Sequence, residues 1–269
     1  MEKLNFEKEW VIVTGASSGL GREIALYLSK VEQANLILIA RRKEKLEQLK
    51  IQIETSTNSL VEFFIMDLSK DNAGLDLFNQ ITLKYNIYAI INNAGLTAYE
   101  PASFMNFETY KKMINLNYKT VIETSLLFLD YFKEKKSGGI LNIGSMAGVI
   151  PTPYQTVYSS TKHGISGFTL ALIAENKGKV PVISLFLPGG IKTEMVKMSG
   201  LEDKFGKNNI FNMDAGIVAK KAVMAFKSGK TLAIPGFLNK IANILQRLLP
   251  KSIIIFLFEK SYRPDNKIK

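Results

Sequence analysis

The chain alternates short apolar runs with longer amphipathic stretches from Trp10 onward. Strands are predicted at Trp10–Thr14, Asn35–Ala40, Leu60–Met66, Ile87–Asn92, Gly139–Ile143, Val180–Leu187 and Thr231–Ile234. The first six runs are almost continuously apolar and rich in β-branched residues, which is typical of strands covered on both faces. Helical patterns separate them at residues 20–31, 43–55, 72–84, 107–135, 155–176 and 213–227. This order predicts an α/β fold with a doubly wound parallel sheet of about seven strands.

The length of 269 residues and the 46% hydrophobic content suit one folded unit with a large core. No linker, repeat or low-complexity segment divides the chain. We predict one domain over residues 1–236 and an amphipathic extension of the same domain over residues 237–269.

The residue types that are scarce exclude several kinds of chemistry. The chain has no cysteine and one histidine, His163, so disulfides, thiolate catalysis and Cys-based or multi-His metal sites are not expected. We therefore predict no metal site. The net charge of +11 concerns partners rather than fold. The basic residues are spread along the chain and form no separate arm, so nucleic acid is not an expected partner.

The start of the chain, MEKLNFEKEW, is charged and lacks the apolar core of a signal peptide. No run of about 18 apolar residues occurs, so no membrane-spanning helix is expected. These patterns predict a cytoplasmic protein, with the C-terminal extension as the segment that could lie at a membrane surface.

A glycine-rich turn follows the first predicted strand. Gly15, Gly19 and Gly21 lie between WVIVT and the helical stretch that begins near Leu20. Such a turn lets the backbone approach a pyrophosphate, while the helix N-terminus supplies free N–H groups and positive dipole. Glycines also mark ordinary turns, and that alternative stays open for this motif alone.

Further motifs occur in a fixed order behind the turn. They are NNAG at residues 92–95, NLN around Asn117, Ser145 after ILNIG, the Tyr158–Lys162 pair in YSSTK, and PGGIKT at residues 188–193. Together with TGASSGLG they resemble the motifs of the classical short-chain dehydrogenase/reductase family over about residues 8–235. The resemblance implies a Rossmann-type fold, a nicotinamide cofactor, hydride transfer between a carbonyl and an alcohol, and a homodimer or homotetramer.

The same resemblance implies a set of cofactor contacts. Asp67 corresponds to the residue that hydrogen-bonds the adenine amino group, Leu68 to one that lines the adenine ring, and Thr193 to one that binds the nicotinamide carboxamide. The expected cofactor-binding residues are Gly15, Ser17, Ser18, Gly19, Leu20, Gly21, Arg41, Asp67, Leu68, Asn93, Gly95, Tyr158, Lys162, Pro188, Gly189, Ile191 and Thr193.

The end of the second strand selects between the two nicotinamide dinucleotides. An acidic residue there would accept a hydrogen bond from the ribose 2′-hydroxyl, whereas an arginine accommodates a 2′-phosphate. The strand ends at Ala40 and is followed by Arg41, Arg42 and Lys43, with Arg22 beside the glycine turn. This pattern predicts NADP(H) in preference to NAD(H). The alternative is that residues 41–43 are a solvated helix start.

Four polar residues are the expected catalytic group. Tyr158 can donate a proton, and Lys162, one helical turn away, favours the phenolate and should lower the pKa of Tyr158. Ser145 would hydrogen-bond the substrate oxygen. By the family resemblance, Lys162 also holds the nicotinamide ribose, and Asn117 helps to hold a water that relays protons. Taken one by one, these residues would read as helix packing or caps.

The substrate side carries fewer signals. Residues 190–212 lie where the family has its substrate lid, and Met195, Met198 and Leu201 would suit an apolar substrate. Aromatic and methionine side chains that could line the pocket are Tyr99, Phe104, Met146 and Tyr154.

The extension FLNKIANILQRLLP has the apolar spacing of an amphipathic helix that ends at Pro250. It resembles the extension of a group of bacterial short-chain reductases of unassigned substrate. Three interpretations stay open. The segment could pack on the protein's own cleft, form a dimer interface, or lie on an anionic membrane through residues 237–260.

These features predict an NADP(H)-dependent oxidoreductase that reduces an apolar ketone or aldehyde. The alternative substrate class is a 3-oxoacyl thioester. The alternative of another class is a non-catalytic NADP(H)-binding sensor, for which the serine, tyrosine and lysine would be unnecessary.

Overall fold

The computed structural model describes residues 4–201 and 212–264 and has a parallel seven-stranded sheet at its centre. The strand order is β3-β2-β1-β4-β5-β6-β7. The strands are β1 (Trp10–Thr14), β2 (Asn35–Ala40), β3 (Val61–Ile65), β4 (Ile87–Asn92), β5 (Gly139–Ile143), β6 (Val182–Phe186) and β7 (Leu232–Ala233). The strand order reverses between β1 and β4. Doubly wound folds bind ligands at the carboxyl ends of the strands beside such a reversal.

Helices cover both faces of the sheet. They are α1 (Gly19–Glu32), α2 (Lys43–Glu54), α3 (Ala73–Thr82), α4 (Phe107–Ile114), α5 (Thr120–Lys135), α6 (Thr156–Glu175), α7 (Glu194–Met198), α8 (Ala215–Lys227), α9 (Phe237–Leu248) and α10 (Lys251–Tyr262). Short 3-10 turns lie at Ala102–Phe104 and Met146–Gly148.

The predicted doubly wound parallel sheet is confirmed. Strands β1, β2, β4 and β5 have the predicted bounds, and the other three are one or two residues shorter at each end. The single helix predicted over residues 107–135 is interrupted by a π turn at Asn115–Lys119 between α4 and α5. Part of the predicted lid, residues 202–211, lies outside the described residues.

The alternation of side chains along β1 divides the core into two layers. Val11 and Val13 pack with α1, α2 and α8, whereas Ile12 packs on the opposite face with α3, α5 and α6. Both layers consist of buried aliphatic and aromatic side chains, and each includes fully buried phenylalanines such as Phe226 on one face and Phe128 on the other. Burial on both faces explains why the strands are continuously apolar in sequence.

A buried polar network joins β4 and β5 to the helices behind them. Asn92 Nδ2 donates to Asn142 Oδ1 at 2.9 Å, and Asn142 Nδ2 donates to Thr169 Oγ1 at 3.0 Å. Thr124 Oγ1 donates to Asn92 Oδ1 at 3.0 Å. These four residues are all fully buried or nearly so. The network fixes α5 and α6 against the strand ends that lead to the functional site.

The C-terminal helices α9 and α10 pack near the carboxyl ends of the strands. Ile254 of α10 is buried in a small cluster with Met146 and Ile150, and Phe258 packs against that cluster. Within residues 4–201 and 212–264, no helix combines the length and the apolar character needed to cross a membrane.

Replacing Asn142 by Ala should lower the free energy of unfolding by about 2–4 kcal/mol, because the buried polar groups of Asn92 and Thr169 would lose their partners. Urea unfolding of this variant and of Asn58→Ala, at an exposed loop position, measures the effect. Equal stability of the two variants would contradict a structural role for the network.

Candidate active site

The glycine turn after β1 is packed so tightly that side chains do not fit. Gly15 has a φ of +68°, and a Cβ atom on it would lie 2.8 Å from the Cα of Ala94. A Cβ atom on Gly21 would lie 2.4 Å from the carbonyl oxygen of Gly15. Only glycine can occupy both positions without displacing backbone, so the turn and the segment after β4 form one compact unit.

Thr14 joins the ends of β1 and β4. Its hydroxyl oxygen accepts hydrogen bonds from the backbone N–H groups of Asn93 at 2.9 Å and Ala94 at 3.0 Å. Asn93 Nδ2 in turn donates to the carbonyl oxygen of Thr14 at 2.9 Å. Asn93 therefore shapes the turn, and Thr14 is a residue that the motif analysis did not single out.

The N-terminus of α1 has the features of an anion site, and the Glu194 carboxylate accepts a hydrogen bond from the Ser18 side chain there. Its N-cap Ser18 has an extended backbone and makes no side-chain capping bond, and the first turn holds no acidic residue. The side chain of Thr193 faces the turn, since its Cγ2 would lie 3.1 Å from a Cβ atom on Gly19. Free N–H groups, a positive helix end and a glycine cradle fit a dinucleotide pyrophosphate. A cavity of about 550 Å³ adjoins the turn, lined in part by Ser17, Gly19 and Thr193.

The basic residues after β2 differ in what they contact. Arg42 donates to Ser17 Oγ at 3.1 Å and forms an ion pair with Glu194 of α7 at 2.8 Å. Arg22 donates hydrogen bonds to Glu23 Oε1 at 2.6 Å and to Gln52 Oε1 at 2.8 Å. Arg41 is exposed. The ion pair between α7 and the start of α2 was not predicted, because it joins residues 152 positions apart.

Asp67 lies after β3, next to Arg41. Burial raises the pKa of Asp67, but hydrogen bonds from Ser69 and the charges of Arg41 and Lys70 outweigh it, so the pKa stays below its ordinary value. The carboxylate accepts from the Ser69 N–H at 3.0 Å and from its hydroxyl at 2.7 Å, so it caps the following turn. Leu68 is buried in the core and offers little surface to an adenine ring.

Tyr158, Ser145 and Lys162 meet at the carboxyl ends of β5 and β6. Burial raises the pKa of Tyr158, and a hydrogen bond with Ser145 opposes this rise. The Ser145 hydroxyl also accepts from the Ala147 N–H at 3.1 Å, so Ser145 caps the 3-10 turn as well. The Nζ atom of Lys162 lies 5.9 Å from the centre of the Tyr158 ring.

The electrostatics of this pair differ from the expectation. Lys162 was predicted to lower the pKa of Tyr158, yet the net shift of that pKa is upward because burial dominates. Lys162 is itself buried, which lowers its pKa to about 8. Its Nζ donates to the carbonyl oxygen of Ile143 at 2.9 Å and is held there at the end of β5.

Asn117 lies in the π turn and is fully buried. Its Oδ1 accepts from the Leu96 N–H and its Nδ2 donates to the Leu96 carbonyl, both at 2.8 Å. Nδ2 also donates to Thr161 Oγ1 at 3.2 Å. These bonds fasten the loop after β4 to α6, so the structure shows the Asn117 side chain as a positioning group. π turns often occur at functional sites.

The segment after β6 covers the candidate site. The carbonyl oxygen of Pro188 accepts from the Met146 N–H at 2.8 Å, and Ile191 forms a parallel bridge with Met213. Met195 of α7 reaches over the cleft, where its Cε would lie 3.8 Å from a Cβ atom on Gly95. Gly189 is covered by Asn239 of α9.

Helix α10 forms one wall of the cleft. The Tyr99 hydroxyl donates to the Tyr262 carbonyl at 2.6 Å, and the Tyr154 hydroxyl donates to Glu259 Oε1 at 2.9 Å. Burial, with smaller contributions from Tyr158 and Tyr99, raises the pKa of Tyr262 to about 12. The extension thus packs on the cleft of its own chain. Of the other expected pocket residues, Phe104 is exposed and Met146 is buried beneath α10.

Residues 9–204 match the family model described as short chain dehydrogenase. The chain is 31% identical over 194 residues to human 17-beta-hydroxysteroid dehydrogenase type 3, covering 70% of this chain and 61% of the relative. It is 32% identical over 194 residues to the very-long-chain 3-oxoacyl-CoA reductase of Anas platyrhynchos, covering 71% and 62%. The chain thus spans about three fifths of these curated relatives.

Solved structures of similar fold agree with the architecture. A short-chain dehydrogenase from Sphingobium yanoikuyae in complex with NADPH superposes with a TM-score of 0.79 at 23% identity, covering 89% of this chain and 94% of that one. One from Burkholderia phymatum in complex with NAD gives a TM-score of 0.80 at 17% identity, covering 99% of both chains. The shared fold accommodates either dinucleotide.

Replacing the buried Lys162 by Met should change how stability depends on pH. The folded protein binds this proton more weakly, since the pKa is about 8 rather than the usual 10.5. The resulting decrease in the free energy of unfolding is complete below pH 8 and disappears as the pH rises to 10.5. Wild-type protein should therefore gain about 3 kcal/mol relative to the variant across this window. Urea unfolding at a series of pH values measures it.

The exposed Lys133→Met is the matched control and should show no such pH-dependent difference. A constant difference between Lys162→Met and wild type from neutral to alkaline pH would contradict the lowered pKa.

Proposed function

Since the chain belongs to the short-chain dehydrogenase/reductase family, we propose that it transfers a hydride between NADP(H) and a carbonyl/alcohol pair by means of Ser145, Tyr158, Lys162 and Asn117. The observation that supports this most directly is the convergence of Ser145, Tyr158 and Lys162 after β5, at the same end of the sheet as the glycine turn after β1. A proton donor, a hydrogen-bonding hydroxyl and a cation are the groups that carbonyl reduction requires.

When bound, the nicotinamide supplies or accepts the hydride. In the direction of reduction, Tyr158 donates its phenolic proton to the carbonyl oxygen, and its raised pKa keeps the phenol protonated beforehand. Ser145 hydrogen-bonds the same oxygen and orients it. Lys162, protonated below a pKa of about 8, stabilises the phenolate that remains. Asn117 holds the loop after β4 in place and keeps α6 aligned through Thr161.

The preference for NADP(H) rests on the residues that follow β2. Ala40 ends the strand, and Arg41 is exposed at the rim beside Asp67. A guanidinium group at this position can bind a 2′-phosphate through two parallel hydrogen bonds. Arg42 is already engaged with Ser17 and Glu194, which leaves Arg41 as the residue that we assign to the phosphate.

An apolar ketone or aldehyde is the proposed substrate class. The cleft is bounded by Met195 and by tyrosines 99, 154 and 262. The curated relatives are named for a 17-beta-hydroxysteroid and for a very-long-chain 3-oxoacyl-CoA, which carry a hydroxyl group and a keto group, respectively, on a large apolar body. Reduction of a 3-oxoacyl thioester is therefore the second candidate. A screen of NADPH oxidation over ketones, aldehydes, 3-oxoacyl thioesters, quinones and steroids separates these classes.

A non-catalytic NADP(H) sensor is the alternative of another class, and the assembled group of Ser145, Tyr158 and Lys162 argues against it. A sensor would bind the dinucleotide without turning over any substrate in the screen. We also expect a homodimer or homotetramer, which light scattering of the full chain measures.

Replacing Arg41 by Ala should raise the KM for NADPH roughly tenfold while leaving that for NADH nearly unchanged, because only NADPH carries the 2′-phosphate. Steady-state kinetics with both cofactors measure the change. Lys43→Ala is the matched control, since Lys43 is exposed and lies within 3.6 Å of Glu47. Equal or better use of NADH by the wild-type protein would contradict the assignment.

Replacing Tyr158 by Phe should reduce kcat roughly a hundredfold to ten-thousandfold, because the proton donor is lost while the ring remains. NADPH binding, followed by fluorescence titration, should be retained. Tyr27→Phe, on α1, is the control and should keep full activity. Undiminished turnover by Tyr158→Phe would refute the catalytic role of the phenol.

A further inference from the structure

Helix α9 is oriented with its apolar side toward solvent. Its buried residues are two asparagines, Asn239 and Asn243. Asn239 Nδ2 donates to the Pro235 carbonyl at 2.8 Å, and the same side chain covers Gly189. A surface helix ordinarily buries its apolar stripe and exposes its polar side, so α9 is reversed.

The exposed side of α9 is a continuous apolar stripe. Phe237 and Leu248 are 76% and 74% exposed. The remaining exposed members of the stripe are Leu238, Ile244 and Leu245. These three residues and Leu248 follow Phe237 by one, seven, eight and eleven positions, and at this spacing they lie on one side of a helix.

Helix α10 carries a second exposed apolar side. Its inward side holds Ile254 and Phe258 against the cleft cluster. Its outward side exposes Ile253, Phe256 and Leu257 to solvent. We name the exposed apolar residues of α9 and α10 together the C-terminal apolar surface. Exposed apolar helix sides of this kind on a folded chain mark a contact with another apolar phase or molecule.

The charged residues within the segment that forms the C-terminal apolar surface are all basic. Residues 237–258 contain Lys240, Arg247 and Lys251 and no acidic residue. Lys260 is exposed on the outward side of α10. Glu259, the nearest acid, is bound by Arg263 at 2.9 Å and by Tyr154. The surface thus combines apolar side chains with uncompensated positive charge.

We propose that the C-terminal apolar surface docks on an anionic lipid bilayer, with α9 and α10 lying in the plane of the interface. Phe237, Ile244 and Leu248 would enter the acyl boundary, while the lysines and Arg247 would extend to the headgroups. A second copy of the chain fits less well, because a twofold contact would bring like charges together. The net charge of +11 also favours approach to an anionic surface.

Co-sedimentation of the full chain with vesicles tests the proposal. Vesicles of phosphatidylcholine alone are compared with vesicles of phosphatidylcholine and phosphatidylglycerol, at low and high salt. We expect binding to the anionic vesicles, weakened by salt, and much less to the neutral ones. No sedimentation with either vesicle would overturn the proposal.

Two pairs of variants locate the contact. Ile244→Ser combined with Leu248→Ser should lower vesicle binding at least tenfold, since each side chain would otherwise be buried in lipid. Lys240→Gln combined with Arg247→Gln should lower binding about tenfold and reduce its salt dependence. The matched controls are Leu75→Ser with Leu83→Ser, and Lys84→Gln with Lys133→Gln, all at exposed positions.

The proposal fails if the serine pair on α9 binds anionic vesicles as well as the wild type does. Light scattering supplies a further outcome. A dimer that the serine pair dissociates, together with absent vesicle binding, would identify a second copy as the occupant and overturn the membrane assignment. The serine pair should keep the wild-type melting temperature and the wild-type turnover of a water-soluble carbonyl, because Ile244 and Leu248 are exposed to solvent. These two measurements show that the variant is folded.

Discussion

The close contact between the ends of β1 and β4 is the constraint on which the site depends. Gly15 can lie against Ala94 only without a side chain, and Thr14 fastens the two segments by hydrogen bonds. This contact orients α1, so that its free N–H groups face the same edge as the ends of β5 and β6. The residues proposed for catalysis are therefore connected to the glycine turn through the sheet itself, by way of β4 and β5.

Much of the fold follows from local patterns in the sequence. Four of the seven strands have the bounds that their apolar runs predict, because burial on both faces makes those runs predominantly apolar. The glycine turn is likewise located by its motif, since backbone geometry requires glycine at Gly15 and Gly21. Ser145, Tyr158 and Lys162 meet as expected.

Other features depend on contacts between distant parts of the chain, which local patterns do not encode. The ion pair of Arg42 with Glu194 joins the start of α2 to α7, which lies 152 residues further along the chain. The lowered pKa of Lys162 reflects burial by surrounding elements, and no neighbour in sequence reveals it. The reversed orientation of α9 is of the same kind, because its periodicity defines a stripe without defining the side that faces the domain.

The π turn between α4 and α5 restricts how many residues the chain can have between these two helices. One additional residue in a helical turn rotates everything that follows by about 100°. With that rotation, Asn117 faces Leu96 and Thr161 while Val121 and Phe128 of α5 face the core. Removing any one residue from Asn115–Lys119 would therefore act as a rotation of α5. Substitutions within the turn are restricted at the residues whose side chains make specific bonds, Asn117 above all, whereas insertions and deletions are restricted throughout.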